Sequence, residues 1–182
     1  MGLQPRFVDG VRTQSIYVAD SLENGAGYAV ELATDGRLGA VLERIAGPLA
    51  NRWSAPGHGD DCLPSCQDCL RSYDNLADHP WLDWRLALDL ADIALDREWD
   101  GARWLSQSGR ACEALMTGFD GVLRTSVEGL DVLSHGRRAV VVGHPLWRHD
   151  REGWNARQSA VAAALAGDGF DVHMWDVKTV LS

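Results

Sequence analysis

Three of the chain's four cysteines stand within eight residues, as Cys62-x3-Cys66-x2-Cys69 in the stretch "CLPSCQDCLRSYDN". Thiolates this close in sequence can fold around one tetrahedral ion, with Zn–S distances of about 2.3 Å, and Cys-x2-Cys is the usual half-site of a zinc knuckle. Three cysteines crowded into a loop rarely serve as packing, so a metal is the better reading than three free thiols. A closed tetrahedral site needs a fourth donor. His58 lies four residues before Cys62, His79 ten residues after Cys69, and Cys112 is remote in the apolar context "ACEALM". Cys112 reads as core. Four protein ligands leave no open position for water, so the Zn2+ expected here is structural.

Other residues offer weaker chemistry. "WDVK" places Asp176-x-Lys178 at the end of an apolar run. A carboxylate-x-Lys pair with an upstream Asp120 or Asp131 is the arrangement by which a metal-dependent nuclease holds Mg²⁺ and orients water. "GHPLWRHDREGW" adds His144, His149 and Asp150 on a loop after a strand, where α/β sites tend to lie. Against a nuclease, D-x-K recurs by chance and no fuller motif frames it here. Arg71 and Arg85, near the knuckle, are candidate DNA contacts, although surface or helix-pairing arginines are commoner. No G-x-x-x-x-G-K-[ST] phosphate loop occurs, so ATP hydrolysis by this chain is not expected.

These residues must be held by regular elements. "TQSIYVAD" (13–20) reads as a buried strand, followed by a glycine turn at Gly25 and Gly27 and then a helix. Leu38, Val41, Leu42, Ile45 and Leu49 repeat with helical spacing. "APGHGDD" (55–61) reads as a loop. "DHPWLDWRLALDLADIALD" (78–96) reads as one helix with Pro80 in its first turn and Asp78 or His79 as cap. Its polar positions Arg85, Asp89, Asp92 and Asp96 form one narrow stripe, with Arg85 and Asp89 paired across a turn. Gly101 to Ser134 should hold a helix around Cys112 and one or two strands. Then "RRAVVVG" (137–143) predicts a strand, 155–169 a helix capped by Asn155, and 170–181 a second strand. Strand, helix, strand implies a parallel pair. The fold class is therefore α/β: a zinc knuckle and helices over 1–98, then a small parallel-sheet (βαβ) region over 99–182 packed on them.

Composition narrows the role. At 182 residues and 46% apolar, the chain can form a core without disulfides. Its eight tryptophans read as core and interface material. A net charge of −9 argues against a free-standing nucleic-acid binder, which is usually basic, and fits a protein-interaction module equally well. No apolar run is long enough to span a membrane, and "MGLQPRFVDG" lacks the apolar stretch of a signal peptide, so a cytoplasmic location is expected.

Taken in order, "DSLENGAGYAVEL", "CLPSCQDCLRSYDN" and "HPWLDWRLALDL" resemble the MrfA-type zinc-binding (MZB) domain over about residues 14–97. That domain occurs in the C-terminal region of DEAD/DEAH-type superfamily 2 DNA helicases and in the DrmB component of the DISARM phage-defence system. The resemblance implies a non-catalytic accessory module whose partners are helicase motor domains, in the same chain or another, with DNA contact an open question. Neither a Walker A motif nor a DEAD or DEAH box is present. The family pairs two cysteines upstream of its Cys-x2-Cys knuckle. Cys66 and Cys69 match the knuckle and Cys62 the second upstream cysteine. The first is missing, and His58 is the nearest residue able to replace it, which favours His58 over His79.

Overall fold

The computed structural model describes residues 2–8, 11–17, 27–98 and 101–181, the first two segments by backbone only. Strands β1 (Gly2–Val8) and β2 (Val11–Tyr17) pair antiparallel, with Gly2 opposite Tyr17 and Val8 opposite Val11. The expected strand at 13–20 is thus the second half of a hairpin, and its side chains, like Gly25, lie outside the described residues. Gly27, at φ +79°, turns the chain into the short helix α1 (Tyr28–Leu32).

The next helix is longer than its apolar stripe. It runs as α2 (Arg37–Arg44), a π-helical turn over Ile45–Leu49, and α3 (Ala50–Trp53). Pro48 sits inside the wide turn. Proline has no N–H to give to the carbonyl four residues back, and a π turn relieves the clash of its ring. The residues at 55–61, expected as loop, include one helical turn, α4 (His58–Asp61).

The single helix expected over 78–96 is two elements. A 3₁₀ segment covers Tyr73–Trp81, and α5 covers Trp84–Ala94. Leu82 and Asp83 are extended between them, and Asp83 is the N-cap, its carboxylate accepting from the N–H groups of Arg85 and Leu86. Neither Asp78 nor His79 caps α5. Pro80 falls within the 3₁₀ segment, and Trp81 is 81% exposed.

A 3₁₀ turn (Gly101–Trp104) leads into α6 (Leu105–Gly118). Strands β3 (Leu123–Val127), β4 (Leu130–His135) and β5 (Arg138–Gly143) follow as an antiparallel meander. Its two-residue turns have suitable chemistry: Glu128 and Gly129 both take positive φ, and Gly136 takes φ +60° before Arg137. Helix α7 (Ala156–Gly167) is capped by Asn155, whose side chain exchanges hydrogen bonds with Gln158. Strand β6 (Asp171–Asp176) then lies parallel to β5, Arg138 opposite Asp171 and Gly143 opposite Asp176. The sheet order is β3-β4-β5-β6, an α/β arrangement with the expected parallel pair. The last apolar run is not all strand, because α8 (Val177–Leu181) begins directly after Asp176.

Three cores result. Helix α7 covers one face of the sheet, where Val161 and Leu165 meet Val132, Ala139, Val141, Val172 and Met174. On the other face Leu133 and Val142 meet Trp104 of the 3₁₀ turn, Ala111 and Cys112 of α6, and Val177 of α8. Burial on both faces explains the unbroken valines of β5. The third core is remote from the sheet and joins Ala50, Trp53, Cys62, Trp84 and Leu88, with Cys66 and Cys69 packed against it. Among the described residues no helix is long and apolar enough to cross a membrane.

Helix α5 links the third core to the sheet half, and it does so with its polar stripe. Arg85, Asp89 and Asp92 are buried, whereas Leu90 and Ile93 are 48% and 45% exposed. Arg85 does not pair with Asp89. Asp89, fully buried, accepts from Arg103 Nη1 at 2.6 Å, Trp104 Nε1 at 2.7 Å and His144 Nε2 at 2.8 Å. Arg103 also reaches Asp92 at 2.9 Å. Burial pushes the Asp89 carboxyl upward, but hydrogen bonds from His144, Trp104 and Arg103 outweigh it and hold the group below its ordinary value.

Candidate metal centre

His58 opens α4 and Cys62 ends it, four residues on, so one helical turn presents both side chains to the same side. Two glycines allow the turn. Gly57 has φ +93°, and a Cβ on Gly59 would meet the Ser54 carbonyl oxygen at 2.9 Å. The second half of the site is the tight turn from Cys66 to Cys69. The Cys66 N–H donates to Cys69 Sγ at 3.1 Å, and the Cys66 carbonyl accepts from Arg71 N–H at 2.9 Å.

The four side chains His58, Cys62, Cys66 and Cys69 place one donor atom each within 4.8 Å of every other. Among the described residues this is the one group of three or more His, Cys, Asp or Glu side chains placed to hold a metal ion. Cys69 Sγ lies 3.8 Å from both Cys62 Sγ and Cys66 Sγ. Tetrahedral Zn–S bonds of about 2.3 Å would put the sulfurs about 3.8 Å apart.

The histidine is set up as a ligand. His58 Nδ1 lies 2.7 Å from the Trp53 carbonyl oxygen, which can only accept, so Nδ1 carries the proton. In that tautomer Nε2 offers its lone pair, and it is buried without a hydrogen-bond partner. An imidazole held by a backbone carbonyl on one nitrogen and open on the other is the usual arrangement of a metal-bound histidine. The residues fit a zinc ion on two counts: sulfur spacing and an orphaned nitrogen.

Helix α5 holds the ligand loop from behind. Trp84 Nε1 and Arg85 Nη1 both donate to the Cys62 carbonyl at 3.2 Å, and Arg85 Nη2 donates to the Gly59 carbonyl at 2.7 Å. Trp84 also meets the His58 ring edge-on, with centroids 5.4 Å apart. Arg85 is therefore a buried strut, 2% exposed, and is not placed for DNA contact. Arg71 turns its Nε to Ser65 Oγ at 2.9 Å. Thiol protonation differs across the site. Burial, reinforced by the neighbouring thiols, pushes Cys62 well up. At Cys66 burial also pushes upward, but hydrogen bonds from Cys62, the Asp68 backbone and Cys69 prevail and hold it below the ordinary thiol value.

The remaining candidates have other partners. His79 Nε2 lies 3.0 Å from both the Ser72 carbonyl and Asn75 Oδ1, within its own 3₁₀ segment. Cys112 is fully buried in the core beneath the sheet, and burial pushes its thiol up to about 11. Asp176 caps α8, accepting from the N–H groups of Lys178 and Thr179, and pairs with His149 at 3.0 Å. Lys178 extends to Asp83 at 3.2 Å, not back toward Asp176. Asp131 is held by Ser108 and Arg124, and Asp120 borders a separate apolar groove. His144 is committed to Asp89, and Asp150 pairs with Arg148. Sequence reasoning missed the strut made by Trp84 and Arg85 and the Asp89 network. The one available signal was a tryptophan and arginine at the start of a helix just after the knuckle. No protein-family model, curated protein or solved structure matches the chain.

Proposed function

We propose that this chain is a structural zinc module that acts as a non-catalytic accessory part of a larger DNA-handling assembly. The observation that carries the metal reading is the buried, unpartnered Nε2 of His58 beside three cysteine sulfurs. Zinc suits a sulfur-rich tetrahedral set, and three sulfurs plus one nitrogen complete its coordination. An ion so enclosed has no position for substrate or water. What it does is tie the turn carrying His58 and Cys62 to the turn carrying Cys66 and Cys69, both of which rest on Trp84 and Leu88 of α5.

The accessory role rests on the resemblance to the MZB domain, and on a sequence without a phosphate loop or DEAD box. In this reading the motor that hydrolyses ATP lies in other domains, and the zinc module supports it or its contacts. The test is to remove zinc from the purified chain with a chelator and follow melting and any DNA-dependent activity separately. A structural role requires a lower melting temperature. Zinc-free protein that melts as before but loses a DNA-cleaving activity contradicts it.

A further inference from the structure

A second site opens on the side of α5 nearest α6 and α8. It is a cavity of about 300 Å³ walled by Leu63, Pro64, Trp104 and Leu181, with Asp83, Arg85, Gln107, Arg110 and Lys178 as its charged and hydrogen-bonding members. Three cations face one carboxylate, giving a local formal charge of +2 in a chain of net −9. The carboxylate is already used: Asp83 caps α5 with one oxygen and meets Lys178 with the other. Arg110 makes no ion pair among the described residues, and its charge adds to burial in depressing the Arg85 pKa.

Gln107 is a buried neutral member of the same wall. It is 7% exposed, lines this cavity, and its Nε2 is buried without a hydrogen-bond partner. Buried side-chain N–H groups are usually paired, and this one lies enclosed behind the cavity surface, so it meets an acceptor in the cavity when the amide turns outward. Gln107 and Arg110 are three residues apart on α6 and share a face. Lys178 approaches from α8 and Arg85 adds its charge from α5. Apolar walls reduce screening and strengthen the field at the centre.

We infer that this cavity binds a phosphate dianion, either as the free ion or as a terminal phosphomonoester, with Arg110 and Lys178 donating to its oxygens. The preference for phosphate over carboxylate follows from charge. A phosphate monoester carries about −1.5 to −2 at neutral pH and matches the local +2, and its oxygens point in several directions toward donors on separate elements. Arg85 contributes chiefly charge, because it is 2% exposed and three of its five N–H donors are held by backbone carbonyls.

The test is calorimetric titration of the full, zinc-loaded chain with three probes at matched ionic strength. They are inorganic phosphate, a short 5′-phosphorylated single-stranded DNA, and the same DNA without its terminal phosphate. The expected result is saturable 1:1 binding of inorganic phosphate, of the 5′-phosphorylated strand, or of both, and none of the unphosphorylated strand. Binding of the strand as well identifies a monoester end as a ligand; binding of inorganic phosphate alone identifies the free ion. Arg110→Ala, a change at an exposed side chain, should weaken binding about tenfold without altering the melting temperature, and Gln107→Glu should abolish it. Absence of saturable binding of both inorganic phosphate and the 5′-phosphorylated strand overturns the proposal. So does unchanged affinity in Arg110→Ala, whatever Gln107→Glu does to folding, or equal binding of the two DNA strands.

Discussion

Asp89→Asn should destabilise the whole chain, because Asp89 joins the cysteine-rich half to the sheet half. The wild-type carboxylate is fully buried and accepts three short hydrogen bonds, from Arg103, Trp104 and His144. Asparagine keeps the shape but has one acceptor oxygen, and its NH₂ group opposes a donor. Breaking one side of a buried ion pair costs about 3–5 kcal/mol, and the low end applies because Arg103 keeps Asp92. A loss of about 3 kcal/mol corresponds to about 6–12 °C in Tm for a chain of this size. The assay is denaturant and thermal unfolding of zinc-saturated protein near pH 7. Glu43→Ala serves as control, since the Glu43–Arg97 pair is about half exposed and worth at most about 1 kcal/mol. The sign with pH is also fixed. The folded Asp89 pKa lies below the unfolded value of about 3.9, so its stabilisation is present above that value and lost as pH falls through the folded pKa. The gap between wild type and Asp89→Asn should therefore narrow in acid. A gap under about 1 kcal/mol at neutral pH, or one that widens as pH drops, refutes the argument.

Three further outcomes follow from the site. His58→Ala should lose zinc by elemental analysis while His79→Ala keeps it, since His79 is bonded within its own segment; the reverse would mean the fourth ligand is misassigned. Arg85→Lys keeps the charge but cannot brace both the Cys62 and Gly59 carbonyls, so stability should fall by about 2 kcal/mol and zinc should pass faster to a chelator. Unchanged release kinetics would remove Arg85 from the account. Asp176→Ala should cost about 1 kcal/mol through the lost cap of α8, and no magnesium-dependent DNA cleavage should depend on it.

What could be read from the sequence was local. Cysteine spacing marked the metal turns, the valine run marked β5, and Asn155 marked the start of α7, because each signal lies within a few residues of its effect. The polar stripe of α5 misled for the opposite reason. Arg85, Asp89 and Asp92 look like a solvated face until their partners appear, and those partners are 11 to 55 residues away in sequence. The breaks at Leu82 and after Asp176 were hidden by continuous apolar runs, and only the caps, Asp83 and Asp176, mark them. Pro48 did not end its helix, since a π turn absorbed it.

The central claim is a closed S₃N shell, and X-ray absorption at the zinc edge reads it directly. The account predicts about one zinc per chain, with three sulfurs at about 2.3 Å, one nitrogen at about 2.0–2.1 Å and no oxygen. A shell with two sulfurs, or with a water oxygen in the fourth position, contradicts it.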